Sequence, residues 1–460
     1  MRQRKADLRR RVNGNLEVTF SEDGLTSYAG LELLMRYLGH LRFNEILRRH
    51  LKVSDLPSDY GIPAMVRILI GMLVVGGRRL RHIDFLRGDP IFHRFCGLAT
   101  LPSSRTLSRW LKGFRGQSIE ALRRMNAESV AAVISGYLTA KTLTIDVDGT
   151  VLSTGLKVER AFRGYNPHHR KVPSYFPITA HLAETGHILR IRNRSGNIND
   201  GKASIGFLRD LFAQMDDTLG TGYKLQFRMD GDFFKRAVLQ LLEARDAGYA
   251  IKVPFWTWLD LQDLITRRTD WHRVDDEVEG FRTSLLLEPW NRDIRIVIYR
   301  KRVRHETRKN YQLDLFDPSN GTYEYSAVAT NLSLDIRRLW RFMCGRGAHE
   351  KVIGELKSGL ALNTIPTNRY GANSAWQQIV ALTHNLLINF QIETVAGAKA
   401  RTQKRTALFR LRRIRTLRFE LFNRAGNLVH PHGKAVLRLS SNNLAKEVFT
   451  RVASALAKAA

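Results

Sequence analysis

The stretch Leu143-Thr-Ile-Asp-Val-Asp-Gly-Thr150 marks the point at which the chain changes from helical to strand-like patterning. Its apolar residues alternate with polar ones, and a period of two predicts a β-strand. The strand-like run ends at Asp148, which glycine and threonine follow. An acid at the end of a strand is a candidate functional residue, and the segments on either side decide what surrounds it.

The segments after this strand predict an α/β core. Hairpin-connected strands are followed by alternating helices and strands, and this order fits a ribonuclease H-like core. In such a core the first and fourth strands lie side by side and each carries one acid, so we predict that Asp148 and Asp230 are neighbours. The predicted elements are strands at 176–184 and 187–193, a helix near 202–215, a strand at 223–229, a helix at 233–244 and a strand at 249–253.

Three charged residues of the stretch Arg346-Gly-Ala-His-Glu350-Lys-Val-Ile-Gly-Glu-Leu-Lys357 are spaced for one face of a helix. They fall within about 40° of one another, and the apolar residues fall on the opposite side. Glu350, flanked by Arg346 and Lys357, therefore joins Asp148 and Asp230 as a third candidate carboxylate. The alternative for Arg346 and Glu350 is an ordinary i,i+4 surface pair, which stabilises a helix by only ~0.2–0.5 kcal/mol.

Three carboxylates on a rigid core suit phosphodiester cleavage. Two Mg²⁺ ions about 3.5–4 Å apart activate a water or a 3′-hydroxyl and neutralise charge at phosphorus, and Mg²⁺ prefers hard oxygen ligands. We predict Asp148, Asp230 and Glu350 as ligands of Mg²⁺, for which Mn²⁺ can substitute. A rival interpretation is the Asp-x-Asp-Gly-Thr motif of haloacid-dehalogenase-type phosphatases, with Asp146 as the nucleophile and Asp148 as the acid/base.

The charge of the chain indicates its class of partner. With 460 residues and a net charge of +31, the protein repels itself unless a polyanion screens it, so nucleic acid is the expected partner. Its two cysteines form no zinc or disulfide pattern, which favours a reducing compartment such as the cytoplasm. No run of ~18 apolar residues predicts a membrane span.

Residues 1–138 are predicted to form an all-α N-terminal region for DNA binding or dimerisation, beginning with a basic arm at residues 2–11. A helix over residues 102–114 has Ser103 or Ser104 as its N-cap, an apolar face and a basic face. Such a helix is either the recognition helix of a helix-turn-helix or an ordinary surface helix, and the sequence leaves both open. The basic side chains of this helix are Arg105, Arg109 and Lys112.

Four further regions follow residue 138, and the second, a β-rich insertion, contains Trp256 and Trp258. These two tryptophans alternate just after a predicted strand. Tryptophans with this spacing are usually core or sheet-face residues, and the alternative for Trp258 is stacking on a splayed-out DNA base. The regions are a first part of the core (139–254), a β-rich insertion (255–334), a second part of the core (335–395) and a basic C-terminal region (396–460).

These motifs make the chain similar to the DDE transposases of bacterial insertion sequences, in particular the insertion sequence 1380 family, which is related to the insertion sequence 4 group. Arg346, Glu350 and Lys357 hold the spacing of the larger group's Tyr-x2-Arg-x3-Glu-x6-Lys signature. The tyrosine position is Met343, which we expect on the same helix face. The other similar stretches are Ile145–Val151, Arg163–Asn166, Arg194–Asn197, Arg228–Phe233 and Ala329–Leu332.

The resemblance implies a catalytic triad of Asp148, Asp230 and Glu350, with Arg346 and Lys357 gripping the phosphate near the cut. It implies a cut-and-paste DNA transposase whose partners are double-stranded DNA, at terminal inverted repeats and at the target, and a second copy of the chain in a synaptic complex. The alternative from another class is a transposase-derived DNA-binding protein that is catalytically silent, and a cleavage assay on labelled end DNA separates the two.

Overall fold

The computed structural model describes residues 16–20, 24–52, 56, 58–138, 141–164, 166, 171–198, 200–302, 323–399 and 406–459. These residues form a mixed α/β fold around a nine-stranded sheet. The strands are β1 (Leu25–Thr26), β2 (Thr142–Gly149), β3 (Leu152–Ser153), β4 (Ser174–Tyr175), β5 (Ile178–Leu182), β6 (Ile188–Arg192), β7 (Lys224–Met229), β8 (Gly248–Val253), β9 (His272–Arg273), β10 (Val278–Leu287), β11 (Arg292–Arg302), β12 (Tyr323–Thr330), β13 (Gly397–Ala398), β14 (Phe409–Arg410), β15 (Gly426–Val429) and β16 (Val436–Leu439).

Helices cover the sheet and form the first and last regions of the chain. A 3₁₀ helix spans Leu80–Leu86, and π-helical segments span Glu355–Gly359 and Arg418–Phe422. The α-helices are α1 (Leu31–His40), α2 (Phe43–Leu51), α3 (Ile62–Val75), α4 (Pro90–Cys96), α5 (Ser104–Lys112), α6 (Gly116–Tyr137), α7 (Asp200–Leu219), α8 (Arg236–Ala244), α9 (Leu261–Arg267), α10 (Ile336–Cys344), α11 (Gly347–Gly354), α12 (Tyr370–Thr394), α13 (Ile414–Leu417) and α14 (Asn443–Ala459).

The large sheet has the order β6-β5-β2-β7-β8-β12-β11-β10-β9. β2 pairs parallel with β7, and Val147 lies opposite Met229. β7 also pairs parallel with β8, whereas β5 runs antiparallel to β2. The residues that follow Val147 and Met229 are Asp148 and Asp230, so the prediction that the two acid-bearing strands are neighbours is confirmed.

Strand β2 is buried on both faces, although its alternating sequence is typical of one buried face. Its apolar residues pack in one cluster with residues of α7 and α8. On the other face, Asp146 is fully buried and contacts polar side chains of neighbouring strands. A charged side chain in a buried strand requires partners that bind it, and these partners belong to the candidate site.

The predicted insertion extends the core sheet. β12 pairs antiparallel with β8, and β11 pairs with both β12 and β10. Two strands of this segment, β10 and β11, are ten and eleven residues long. Backbone hydrogen bonds to neighbouring strands support strands of this length, and the alternation of side chains in the sequence does not show these bonds.

Helix α12 lies at the centre of a second core, and its buried residues run almost without a break from Ala372 to Ile392. Several of its polar side chains find partners inside this core. The amides of Asn385 and Gln378 donate to carbonyl oxygens of β6 at 2.8 and 2.9 Å, since an unpaired buried amide would cost ~1–3 kcal/mol. None of the helices in the described ranges is long and apolar enough to cross a membrane.

The first and last regions of the chain pack together. β1 pairs with β15, and the side chain of Arg418 donates to the Leu73 and Val74 carbonyls at the end of α3. Helices of the first region, α12 and α14 share one apolar cluster. The basic arm predicted at residues 2–11 lies outside the described residues, and the DNA-binding role of the first region stays a prediction.

Candidate active site

Asp148 and Asp230 lie near the carboxyl ends of neighbouring parallel strands, one residue beyond the last pair in the register of β2 and β7. Adjacent strands are about 4.8 Å apart, so the register brings the two backbones together at this point. Asp148 accepts a hydrogen bond from the Gly149 N–H at 2.8 Å, and Asp230 accepts one from the Asp232 N–H at 3.2 Å. Both acidic residues are half-buried.

Two cations approach Asp148 from the segment that follows the insertion. Arg346 Nη1 donates to Asp148 Oδ2 at 3.0 Å. Burial lowers the pKa of Lys357, and attraction to the Asp148 carboxylate opposes this shift. Arg346 therefore pairs with Asp148, and the alternative of a plain surface pair between Arg346 and Glu350 is wrong.

The stretch that carries these cations is not one regular helix. Arg346 is the N-cap of α11, and Lys357 lies in the π-helical segment that follows it. The predicted apolar stripe is nevertheless buried, with Leu356 and Leu360 fully enclosed. Burial of the stripe holds the segment against the core, and Arg346 at its start reaches Asp148 near the end of β2.

Glu350 lies in the first turn of α11, one turn after Arg346, and is exposed. Within the ranges that the structure describes, no three His, Cys, Asp or Glu side chains form a group that could hold a metal ion. The structure thus brings Asp148, Arg346 and Lys357 together and places Asp230 beside them in the sheet. The complete triad of Asp148, Asp230 and Glu350 stays a prediction.

A buried polar network lies one residue deeper in the same strands. Arg228 of β7 binds Asp146 of β2 through hydrogen bonds of 2.6 and 2.7 Å, and His181 Nδ1 of β5 lies 3.2 Å from the same carboxylate. All three residues are at most 1% exposed. Although burial alone would raise it, bonding to His181 and Arg228 lowers the pKa of Asp146, so this carboxylate stays charged.

The network continues into the helix that carries Glu350. His349 Nδ1 lies 3.3 Å from His181 Nδ1, His349 Nε2 lies 3.0 Å from Thr179 Oγ1, and that hydroxyl donates to the Asp148 carbonyl at 3.2 Å. Burial lowers the pKa of His349 to about 3. A neutral imidazole donates through one nitrogen and accepts through the other, so His349 connects α11 to β5, and Thr179 carries the connection on to β2.

The surroundings of Asp146 exclude the phosphatase interpretation. Its carboxylate is fully buried, and both oxygens accept hydrogen bonds from Arg228, whereas a nucleophile must reach the substrate phosphorus. Asp146 is a structural charge. Sequence reasoning missed Arg228, His181 and His349. The available signal was an acid inside a strand, because a buried carboxylate requires a buried cation or donor.

Gly345 permits a close approach between the turn after α10 and the buried network. A Cβ atom added to Gly345 would lie 2.0 Å from Arg228 Nη1, and the same nitrogen donates to the Phe342 carbonyl at 2.9 Å. Met343 belongs to α10 and packs against an apolar cluster. Met343 lies in α10 and Arg346 is the N-cap of α11, and the expectation that the two share a helix face stays a prediction.

An aromatic cluster adjoins the Asp230 turn. Trp256 and Trp258 are stacked, with ring centroids 5.4 Å apart and an interplanar angle of 23°. Trp258 remains 44% exposed. The turn at Gly231 faces Pro254, from which the chain leads to the two tryptophans. Trp258 therefore presents an accessible ring face on the side of the sheet end where Asp230 lies.

Helix α5 has the two faces that its sequence predicts. Ser103 caps it by accepting a hydrogen bond from the Thr106 N–H at 3.1 Å, and its apolar residues are buried. The basic face is solvent-accessible, which both interpretations of the helix require. The exposed basic side chains are Arg105, Arg109 and Lys112.

Comparisons with known proteins agree on one class. A family model described as "Transposase DDE domain group 1" matches residues 9–460. Among solved structures, the chain is similar to a piggyBac transposase synaptic complex with hairpin DNA, with 13% identity, coverage of 86% of this chain and 80% of that chain, and a TM-score of 0.44. A Mos1 transposase paired-end complex with the left transposon end shows 10% identity, coverage of 42% and 59%, and a TM-score of 0.18. No curated protein matches the sequence.

Proposed function

The chain belongs to the transposase DDE domain group 1 family, and on that premise we propose that it binds terminal inverted repeats and cuts and joins DNA in cut-and-paste transposition. A DDE transposase is a polynucleotidyl transferase and endonuclease. The order β6-β5-β2-β7-β8, with β2 and β7 parallel, supports a ribonuclease H-like core. The spacing of Arg346, Glu350 and Lys357 supports the narrower resemblance to the insertion sequence 1380 family.

The observation that carries this proposal is the meeting of charges at one end of the parallel strands. Asp148 and Asp230 follow paired residues of β2 and β7, and Arg346 contacts Asp148 at 3.0 Å. Residues from three distant segments of the chain thus converge on one sheet edge. Carboxylates and guanidinium groups at the same place suit a phosphodiester and the cations that accompany it.

Each residue of the site has a proposed task. The carboxylates of Asp148, Asp230 and Glu350 would hold Mg²⁺ or Mn²⁺, since hard oxygen donors suit these ions. When bound, the ions supply activation of a water or 3′-hydroxyl and neutralise charge at phosphorus. Arg346 and Lys357 bind and orient the phosphate, and the partial burial of Lys357 strengthens its attraction for an anion.

DNA contacts outside the catalytic centre complete the proposal. The exposed face of α5 would contact the inverted repeat through Arg105, Arg109 and Lys112. The accessible ring of Trp258 would stack on a base displaced from the duplex. Pairing of two transposon ends requires at least two copies of the chain, so we propose a homodimer in the synaptic complex.

Cleavage of labelled end DNA in Mg²⁺ tests the triad. Asp148→Asn, Asp230→Asn and Glu350→Gln should each abolish cleavage and leave binding to the end unchanged, because each removes one charge without changing side-chain size. Asp232→Asn is the matched control, since Asp232 is an exposed acid of the same turn and should keep cleavage. Wild-type cleavage by any of the three triad variants contradicts the assignment.

A further inference from the structure

A cleft lies between the N-terminal helices and the catalytic part of the chain. It has a volume of about 960 Å³. One wall comes from the start of the 3₁₀ helix and of α5, and the other comes from the segment after β2 and the segment before α12. The residues that matter below are Arg78, Arg79, Arg81, His82 and Arg105, which all line the cleft.

The cleft is strongly positive. Arg79, Arg81 and Arg105 are exposed, and in the described part of the chain no side-chain hydrogen bond or ion pair engages them. No Asp or Glu is among the described residues that line the cleft. Burial, and then the charges of Arg81, Arg79 and Arg78, lowers the pKa of His82. Several unneutralised guanidinium groups in one concave surface attract a polyanion.

Both walls of the cleft lie close in the chain to residues of the candidate active site. Arg78 donates to the Ser358 carbonyl at 2.8 Å, to Asn363 Oδ1 at 2.8 Å and to the Lys357 carbonyl at 3.3 Å. These bonds attach the start of the 3₁₀ helix to the π-helical segment that presents Lys357. The opposite wall contains Ser153–Gly155, which follows Asp148 in the chain by a few residues.

We propose that this cleft binds the sugar-phosphate backbone of the DNA strand adjoining the cut, and this inference rests on the proposed function. Exposed guanidinium groups bind phosphate oxygens without reading the base sequence. A backbone held in this cleft would lie between the segment bonded to the Lys357 carbonyl and the segment that follows Asp148. The cleft therefore fixes which phosphate enters the catalytic site, and its residues are positioning residues for the reaction.

Binding measured over a range of salt concentrations tests the cleft. Each phosphate contact contributes about 0.9 to the slope of log K against log salt. Arg79→Ala/Arg81→Ala should therefore reduce the slope for end DNA by about 1.8, and the same double change to Lys should restore most of it. Arg267→Ala/Arg273→Ala is the matched control, because these arginines are exposed and already paired with Asp263 and Asp276.

The outcomes separate this inference from the proposed function. Binding is measured without divalent cations, so it is independent of the triad. Equal slopes for Arg79→Ala/Arg81→Ala and wild type overturn the cleft, even if Asp148→Asn abolishes cleavage as expected. Duplexes shortened on one side of the cut, and then on the other, identify which side of the DNA the cleft binds. With the duplex that lacks the bound backbone, the salt slopes of Arg79→Ala/Arg81→Ala and wild type should be equal. A difference that persists unchanged in both shortened duplexes also overturns the proposal.

Discussion

Asp146 and Asp148 lie two residues apart on one strand, and their neighbours give them different roles. Asp146 is enclosed by Arg228 and His181, so its charge is neutralised inside the sheet. Asp148 lies near the strand end, keeps partial access to solvent and meets Arg346. The carboxylate of Asp146 therefore stabilises the packed sheet, and that of Asp148, the next residue on the same face, is available for chemistry.

The pair of Asp146 and Arg228 gives a prediction for stability. Asp146→Leu leaves the Arg228 guanidinium buried without its carboxylate, which should lower the free energy of unfolding by about 3–5 kcal/mol. The double variant Asp146→Leu/Arg228→Met removes both charges, so its loss should be well below the sum of the two single losses. Urea unfolding of the wild type, both single variants and the double variant measures this difference. Additive losses would show that the two side chains do not depend on each other.

At the scale of elements, sequence patterns predicted those helices and strands whose formation depends mainly on residues near them in the chain. The alternation from Leu143 onward located β2, and the cap and the two faces predicted over residues 102–114 located α5. Sequence patterns did not predict the π-helical segment. Glu355 there accepts a hydrogen bond from the Ile414 N–H at 3.0 Å, and no periodicity encodes that contact.

The candidate site shows the same division. Spacing identified Arg346, Glu350 and Lys357 as one group, and strand order predicted that Asp148 and Asp230 are neighbours. The contact between Arg346 and Asp148 joins residues 198 positions apart, so it depends on the fold. The break at Gly345 depends on the fold as well, since only the position of the Arg228 side chain requires a glycine there.

The contact between α12 and the turn before β6 contains two neutral histidines. His187 Nε2 lies 2.6 Å from Asn389 Oδ1, and His384 Nε2 lies 3.0 Å from the Gly186 carbonyl. Burial lowers the pKa of His187 to about 3 and that of His384 to about 4. Both rings are therefore uncharged donors in the folded chain at neutral pH.

These histidines predict that acid destabilises the fold. The unfolded chain binds protons on them near pH 6.5 and the folded chain only near pH 3 and 4, so between these values the unfolded state holds more protons. Stability should be complete above pH 6.5 and should fall as the pH drops, by about 2 kcal/mol per histidine at pH 5. Urea unfolding at pH 7 and pH 5 measures the loss. In His187→Gln, the loss of stability between pH 7 and pH 5 should be smaller by the contribution of one histidine, about half of the total for the two. A loss as large as that of the wild type contradicts the assignment.

At the scale of the whole molecule, helices α1–α6 are part of the common core. Helix α6 lies along α12, where Asn389 donates to the Ser129 carbonyl at 3.0 Å and Asn385 donates to Asn126 at 2.8 Å. Arg418 donates to carbonyls at the end of α3. The proposed DNA-binding region is thus rigidly connected to the catalytic segments, and DNA held by one has a fixed position relative to the other.

This shared core predicts that a chain of residues 139–460 does not fold cooperatively on its own. Removal of α1–α6 exposes the apolar side of α12 and leaves polar groups such as the Asn385 amide with one partner fewer, so the loss far exceeds the ~5–15 kcal/mol that stabilises a typical domain. The fragment should bind a hydrophobic dye and unfold over a broad range of denaturant, and coexpression with residues 1–138 should restore a sharp transition. Residues 24–460 are the matched control, since they keep β1 and all six helices. If residues 139–460 alone unfold as sharply as the control, the N-terminal region is an independent domain, and the cleft proposed between it and the catalytic segments has no rigid second wall.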